Sequence, residues 1–262
     1  MRNEDKNMNF TFGIITGGAN NDRESLSNIE VSNRICDIIK SIKLQNIPRY
    51  EIIIVGGVNN YDDSIKHIEF DESQKQGWIT KKKNIITESA KYDNLVIMHD
   101  YIKLEEGWYK GFLEFGDDWD VCMNIVNNIE GGRWVDWLSD HVNYHVLIPY
   151  NTKDDNMYIS GAYWVAKKSF MKQYPLNESL TWGQAEDVEW SRRWINNVSY
   201  KMNINSSVRC CKEGKIYSVI FYYKSDAIKA FKTSKLESIL KWYNPILGDK
   251  FTPWEINDGD DK

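Results

Sequence analysis

Long apolar runs are missing from this 262-residue chain, and so is any cysteine arrangement that binds metal. No stretch approaches the roughly 20 apolar residues that cross a bilayer. The amino terminus, Met1-Arg2-Asn3-Glu4-Asp5-Lys6, has no apolar region of the kind that directs secretion. Cys36, Cys122, Cys210 and Cys211 contain no CxxC pair. Cys210 and Cys211 are neighbours, and successive side chains of a strand point to opposite faces, so the two do not comfortably bridge each other. Reduced thiols and a cytoplasmic location are the expectation.

A basic surface is missing too. The 33 Lys and Arg residues are outweighed by 38 Asp and Glu, for a net charge of −5. That balance argues against non-specific nucleic-acid binding. Lys81-Lys82-Lys83 is the local exception and leaves room for a phosphate site. Proline is scarce at 5 residues, and neither a low-complexity tract, an internal repeat nor a linker composition appears, so one domain over 1–262 is expected. Aromatic rings are abundant: 11 Trp and 15 Tyr either stack on sugars and bases or fill a large core.

Strand and helix signals alternate through the first hundred residues, the pattern of an α/β fold with a mostly parallel sheet. Residues 10–16 read as a strand ending at Gly17-Gly18. A helix follows over 24–43, with Ile35, Ile38, Ile39 and Ile42 on one face. Residues 51–55 are a β-branched run closed by Gly56-Gly57, and 67–71 a shorter strand. Thr80 is placed to cap a helix to Lys91. Residues 94–98 form a fourth strand that delivers His99-Asp100-Tyr101. Ligands of open α/β sheets bind beyond the carboxyl ends of the strands, which puts Thr16, Gly56, Asp71 and Asp100 along one edge. Later strands are expected at 120–126, 157–165 and 216–223, and helices at 186–194 and 234–243.

The densest chemical signal is Trp182-Gly183-Gln184-Ala185-Glu186-Asp187, followed by Glu189, Arg192 and Arg193. Two carboxylates opening a helix stay ionised beside its positive end and accept a proton from a hydroxyl. The bland alternative is a first turn of acids paired one turn on with arginine. His141 and His145 stand at i and i+4 without a third ligand, and read as structural or acceptor-lining.

The stretch from Gly161 through Phe170, then Asn177-Glu178, then Trp182 to Arg193, resembles the carboxyl-terminal half of GT-A glycosyltransferases. It is similar to the galactosyltransferase Trp-Gly-Gly-Glu-Asp pattern, with one extra residue between Trp182 and Glu186, and family-2-like bacterial enzymes carry related Glu-Asp motifs. The resemblance implies a Rossmann-like nucleotide-diphospho-sugar transferase fold, a mixed and mostly parallel sheet flanked by helices. It divides the chain into a nucleotide-binding half, 1–105, and an acceptor-binding half with a carboxyl-terminal extension, 106–262. It implies transfer of a sugar from a nucleotide diphosphate to a hydroxyl of a growing glycan, with Asp187 as base of an inverting reaction and Glu186 orienting the acceptor. Gly161, Ala162, Trp182 and Gly183 would face that acceptor. A peripheral membrane contact follows only if the acceptor is lipid-linked.

Toward the donor, Lys83-Asn84 resembles the basic-Asn pair of family-2-like enzymes, Thr16 and Asp71 are the base and ribose candidates, and Gly17 is a further donor-binding candidate. Met98-His99-Asp100 stands where the family has Asp-x-Asp, so Asp100, with His99 as a second ligand, would hold Mn²⁺ or Mg²⁺. The sequence departs from the pattern in lacking one of those carboxylates, a His after the Glu-Asp helix, and an Asp after the second strand. Two other readings stay open: a carbohydrate- or nucleotide-binding module without activity, and a sugar nucleotidyltransferase. The latter needs a base on the loop after the first strand closer than Arg23.

Overall fold

The computed structural model describes residues 7–17, 28–57, 62–129, 131–141, 144–153, 155–212, 219–221, 242–243 and 250–251. Strand β1 (Phe10–Ile15) lies between two parallel neighbours, β2 (Tyr50–Val55) and β4 (Asn94–His99). Strand β3 (Lys66–Ile68) extends that parallel half beyond β2. On the other side β10 (Tyr163–Lys167) runs antiparallel to both β4 and β6 (Val121–Asn127). Strand β11 (Tyr200–Cys210) then pairs parallel with β6, and β5 (Ile102–Leu104) closes the far edge antiparallel to β11. The eight strands run in the order β3-β2-β1-β4-β10-β6-β11-β5, the mixed, mostly parallel sheet expected.

A smaller sheet orders β12 (Val219–Phe221), β8 (Tyr144–Leu147), β7 (Trp137–His141) and β9 (Met157–Ile159). Trp242–Tyr243 and Lys250–Phe251 form the antiparallel pair β13–β14. That pair takes the end of the segment expected as a helix over 234–243. The rest of that segment, Gly18, residues 24–27 of the first helix and the acidic tail all lie outside the described residues.

Helix α1 (Asn28–Lys43) buries the expected stripe, with Ile35, Ile38, Ile39 and Ile42 all inside. Helix α2 (Ile79–Ser89) crosses β1 where Gly13 makes room: a Cβ there would sit 2.3 Å from Ile86 Cγ2. Thr80 is not its cap. It is the helix's second residue, and its hydroxyl donates 2.7 Å to the Leu180 carbonyl. Helices α3 (Trp108–Phe115), α4 (Lys168–Gln173) and α5 (Glu186–Arg192) complete the set.

The run 157–165 is two strands of different sheets, broken at Ser160-Gly161-Ala162. The β-branched and aromatic content of that run hides the break, because both pieces are fully buried. The stretch 131–150, without a clear period, is the hairpin β7–β8, in which His141 pairs with Tyr144; the side chains of His141 and His145 lie outside the described residues.

Most described tryptophans are core. Trp108, Trp137, Trp164, Trp190 and Trp194 are all below 2% exposure, and Trp108 Nε1 donates 3.0 Å to Tyr163 OH, which donates on to Asn124 Oδ1. Trp78 is half-buried and Trp182 is exposed at 39%. No helix among the described residues is long and apolar enough to cross a membrane.

Candidate active site

The site begins where β1 and β4 end side by side. The Asp100 amide donates 3.1 Å to the Ile15 carbonyl, and the Thr16 hydroxyl donates 2.7 Å to Asp100 Oδ2. Arg34, from α1, reaches Asp100 Oδ1 at 3.3 Å. The end of β2 presses on Thr16 from the other side. A Cβ on Gly56 would fall 2.3 Å from the Thr16 carbonyl, and Gly56 and Gly57 hold φ of +93° and +71°. Only glycine meets both demands at low cost.

Lys81, Lys82 and Lys83 look like one basic patch in the sequence and are not one. An α-helix turns about 100° per residue, so three neighbours fan out over most of a turn. Lys81 Nζ reaches Glu178 Oε2 at 2.8 Å near the surface. Lys82, 1% exposed, donates 2.7 Å to the Thr16 carbonyl and 3.3 Å to that of Gly17, pairs with Glu72, and lies 5.3 Å over the Phe70 ring. Burial pushes the Lys82 ammonium below its usual range, and Glu72 and then Asp100 hold it up. Lys83 is fully buried and donates 2.8 Å to the Gly161 carbonyl. Asn84 is spent on the segment before the acids, bonding both backbone groups of Leu176 and Glu178 Oε1.

The carboxylates enter from α5, whose position is fixed by long-range contacts. Ile159 N–H donates 2.9 Å to Ser191 Oγ, Arg192 pairs with Asp140 at 2.7 Å, and the Trp190 indole donates 2.6 Å to the Tyr174 carbonyl. Ala185 stands just before the acids in the left-handed region at φ 55° and ψ 39°, a conformation that costs a non-glycine residue about 1–2 kcal/mol. Asp187 Oδ2 accepts the Gly161 N–H at 2.8 Å, and its Oδ1 accepts the Val188 N–H at 2.9 Å. Glu186 is 6% exposed. Burial raises its carboxyl above the usual range, Lys83 opposes that rise, and Asp187 adds to it.

The two edges meet where the antiparallel pairing of β4 with β10 ends, at His99 N–H donating 3.0 Å to the Ala162 carbonyl. Thr16, Gly17, His99 and Asp100 are thereby continuous with Ala162, Gly161, Asp187, Glu186 and Lys83. Asp71 lies apart, exposed, both of its oxygens turned back on Ser73 at 2.8 Å; those bonds hold its carboxyl below the usual range. Trp182 donates its backbone N–H 2.9 Å to Gly77, and Gly183 turns the chain at φ +80°.

Arg34, Glu72 and Lys82 are the residues that sequence reasoning missed. Arg34 lies one turn before Ile38 and two before Ile42, so a charge in line with an apolar stripe was its signal. Lys82 was legible only from the helical phase that separates it from Lys83.

A divalent ion does not fit the side chains present at the strand end. Asp100 already accepts from Thr16 and carries the fixed positive charge of Arg34. The buried His99 ring packs 5.1 Å from Tyr101. Among the described residues no group of three or more His, Cys, Asp or Glu is placed to hold a metal.

This sheet order and this meeting of strand ends define the GT-A fold, shared with solved GT-A glycosyltransferases. Residues 1–349 of TarS from S. aureus superpose with a TM-score of 0.55 at 13% identity, over 78% of this chain and 60% of that one. GalNAc-T7, solved with UDP, GalNAc and Mn²⁺, superposes at 0.54 and 13% identity, over 79% of this chain and 44% of that one. TarS 1–349 with UDP-GlcNAc gives 0.52 at 12% identity, over 80% and 62%. The chain thus spans less than two thirds of the length of these structures. No protein-family profile matches the chain, and no curated protein matches it by sequence.

Proposed function

We propose that this protein is a glycosyltransferase that moves a sugar from a nucleoside diphosphate to a hydroxyl acceptor. The observation that carries this reading is the placement of Asp187. Its carboxylate is fixed by the Gly161 amide, one residue from the Ala162 carbonyl that joins the donor edge at His99. A donor lying along Thr16, Gly17 and Asp100 would present its anomeric carbon toward that carboxylate.

In the step proposed, Asp187 takes the proton of the acceptor hydroxyl. The acceptor oxygen bonds to the anomeric carbon, and the carbon–oxygen bond to the diphosphate breaks with its electron pair leaving on the diphosphate. A base acting opposite the leaving group gives inversion. Glu186, buried behind it, orients the acceptor together with Gly161 and Ala162, while exposed Trp182 and the Gly183 turn offer a stacking face. Lys82 holds the Thr16-Gly17 turn that faces the diphosphate, whereas the resemblance implied that Lys83 meets the diphosphate itself. The halves 1–105 and 106–262 act as donor and acceptor sides of one domain.

TarS has been solved with UDP and UDP-GlcNAc, and GalNAc-T7 with UDP and GalNAc, so uridine nucleotides are the first probes. The test measures release of nucleoside diphosphate from UDP-GlcNAc, UDP-GalNAc and the corresponding guanosine, cytidine and thymidine sugars. One donor should be hydrolysed slowly by the wild type. Asp187→Asn should abolish that release and leave the nucleotide-induced rise in melting temperature intact. Release undiminished in Asp187→Asn removes Asp187 from the role. Binding without release for every donor supports the second reading, an inactive binding module, which the Arg34–Asp100 pairing favours.

A further inference from the structure

We propose that Arg34 and Lys212 form a cradle for the donor's diphosphate, two protein cations that serve in place of a divalent ion. The inference rests on the strand ends being the donor side of the site, and it deepens that reading.

The topology of the sheet brings Lys212 to that side. Strand β10 runs antiparallel to both β4 and β6, and β11 runs parallel to β6. Strands β1, β4 and β11 therefore point the same way, and their carboxyl ends lie along one edge, where open α/β sheets bind ligands. The end of β11 is fastened to the turn after β4: the Cys211 N–H donates 2.7 Å to the Tyr101 carbonyl. The next residue, Lys212, is buried and carries its ammonium 5.3 Å over the Tyr101 ring. Arg34 comes to the same turn from α1, half-buried, and meets Asp100 Oδ1 at 3.3 Å. Two cations from distant parts of the chain thus stand on consecutive residues, Asp100 and Tyr101.

The donor needs positive charge there both to bind and to react. When the bond between the anomeric carbon and the diphosphate oxygen breaks, its electron pair stays on that oxygen, and the diphosphate gains one negative charge. The acceptor oxygen takes the carbon, and Asp187 takes the acceptor's proton. A metal would meet the new charge from a set of carboxylates, but both oxygens of Asp100 are engaged, by Thr16 and by Arg34. The pairing that works against a metal brings a guanidinium in its stead. Arg34 has five N–H donors in a planar fork, enough to hold Asp100 and a phosphate together. Burial strengthens what Lys212 offers, because a charge removed from water attracts an anion more than an exposed one does. Lys82 plays no such part: its ammonium is spent on Glu72 and on the Thr16 and Gly17 carbonyls.

The test is calorimetric titration in EDTA with UDP, GDP, CDP and dTDP and with the matching monophosphates. The wild type should bind one diphosphate without metal, and more tightly than its monophosphate. Arg34→Met and Lys212→Met should each weaken that diphosphate about 10-fold or more, the worth of one charge-assisted hydrogen bond, and narrow the preference over the monophosphate. Arg34→Lys keeps the charge and should recover part of the loss; an equal loss in Arg34→Lys and Arg34→Met overturns the role of charge at that position. Wild-type binding that appears only with Mn²⁺, or an affinity unchanged in both Met variants, overturns the proposal. Should Lys212→Met not fold, the Lys212 ammonium is followed by ¹⁵N NMR as the diphosphate is added, and an unmoved signal removes it from the cradle. Release of nucleoside diphosphate from a sugar donor separates this from the parent reading. A wild type that releases product in EDTA, at a rate both Met variants keep, sinks the cradle alone. A diphosphate held by Arg34 and Lys212 in a protein that releases none keeps the cradle and sinks the transferase. A wild type that binds none of the four diphosphates sinks both.

Discussion

Gly161→Ala adds one methyl group where the two carboxylates meet the amide that holds one of them. The new Cβ would lie 3.1 Å from Glu186 Oε1, 3.2 Å from Asp187 Oδ2 and 3.5 Å from Asp187 Cβ. Ordinary contact begins near 3.4 Å, so both oxygens must withdraw by a few tenths of an ångström. The movement lengthens the 2.8 Å bond from the Gly161 amide, a charge-assisted bond of a kind worth about 1.5–3 kcal/mol. Losing half of it weakens transition-state stabilisation by roughly 1 kcal/mol, or about fivefold in rate. Misplacement of the base adds to that, since about 1 Å costs on the order of 10²-fold. The expected outcome is a 10- to 100-fold slower release of nucleoside diphosphate, an estimate combining those two effects at about half their full size. Stability should hardly move. Gly161 is not among the residues at positive φ, and alanine in a compatible conformation restricts the unfolded chain by about 0.4–1 kcal/mol. Hydrolysis at the wild-type rate in a folded Gly161→Ala protein would refute the placement of Asp187 as base. A rate loss matched by an equal loss of folded protein would refute the reasoning about local displacement.

Two further outcomes are expected from the donor edge. Lys82→Met removes the buried ammonium that pairs with half-buried Glu72 and ties the Thr16 and Gly17 carbonyls, so urea unfolding should show a loss of about 3 kcal/mol. The double variant Lys82→Met with Glu72→Gln should recover part of that loss, and full additivity of the two changes would sink the coupling. Chelation is the second: EDTA should leave the melting-temperature rise produced by the bound nucleoside diphosphate in place, because Arg34 already stands on Asp100. A rise that appears only with Mn²⁺ would show that Arg34 gives way to a metal.

The parallel half of the sheet was legible because its signals are local. Val55 ends a β-branched run at two glycines, and the isoleucines of α1 repeat at helical spacing. The boundaries that failed depend on partners distant in the chain. Thr80 has the chemistry of a cap, yet its hydroxyl is claimed by Leu180, a hundred residues away. The break at Gly161 exists because its amide and carbonyl face Asp187 and Lys83, and neither contact leaves a trace in the strand propensity around it. The Glu-Asp pair was visible as chemistry, whereas its setting was not: burial of Glu186 is a property of the assembled turn. The tryptophans show the same limit from composition, since counting rings cannot tell a stacking face from a core.

The three consecutive lysines of α2 have a consequence for how this chain can change in length. Each is committed to a different stretch of the chain: Lys81 to Glu178, Lys82 to Thr16, Lys83 to Gly161. Their assignments are set by rotation about one helix axis, so inserting or deleting a single residue between Trp78 and Lys81 would turn the whole triplet by about 100°. The lysines would then trade destinations: two of the three partners would still meet an ammonium, and one would lose it, Glu178 on insertion and Gly161 on deletion. A run of one residue type thus blunts a slip that a unique side chain in its place would not survive.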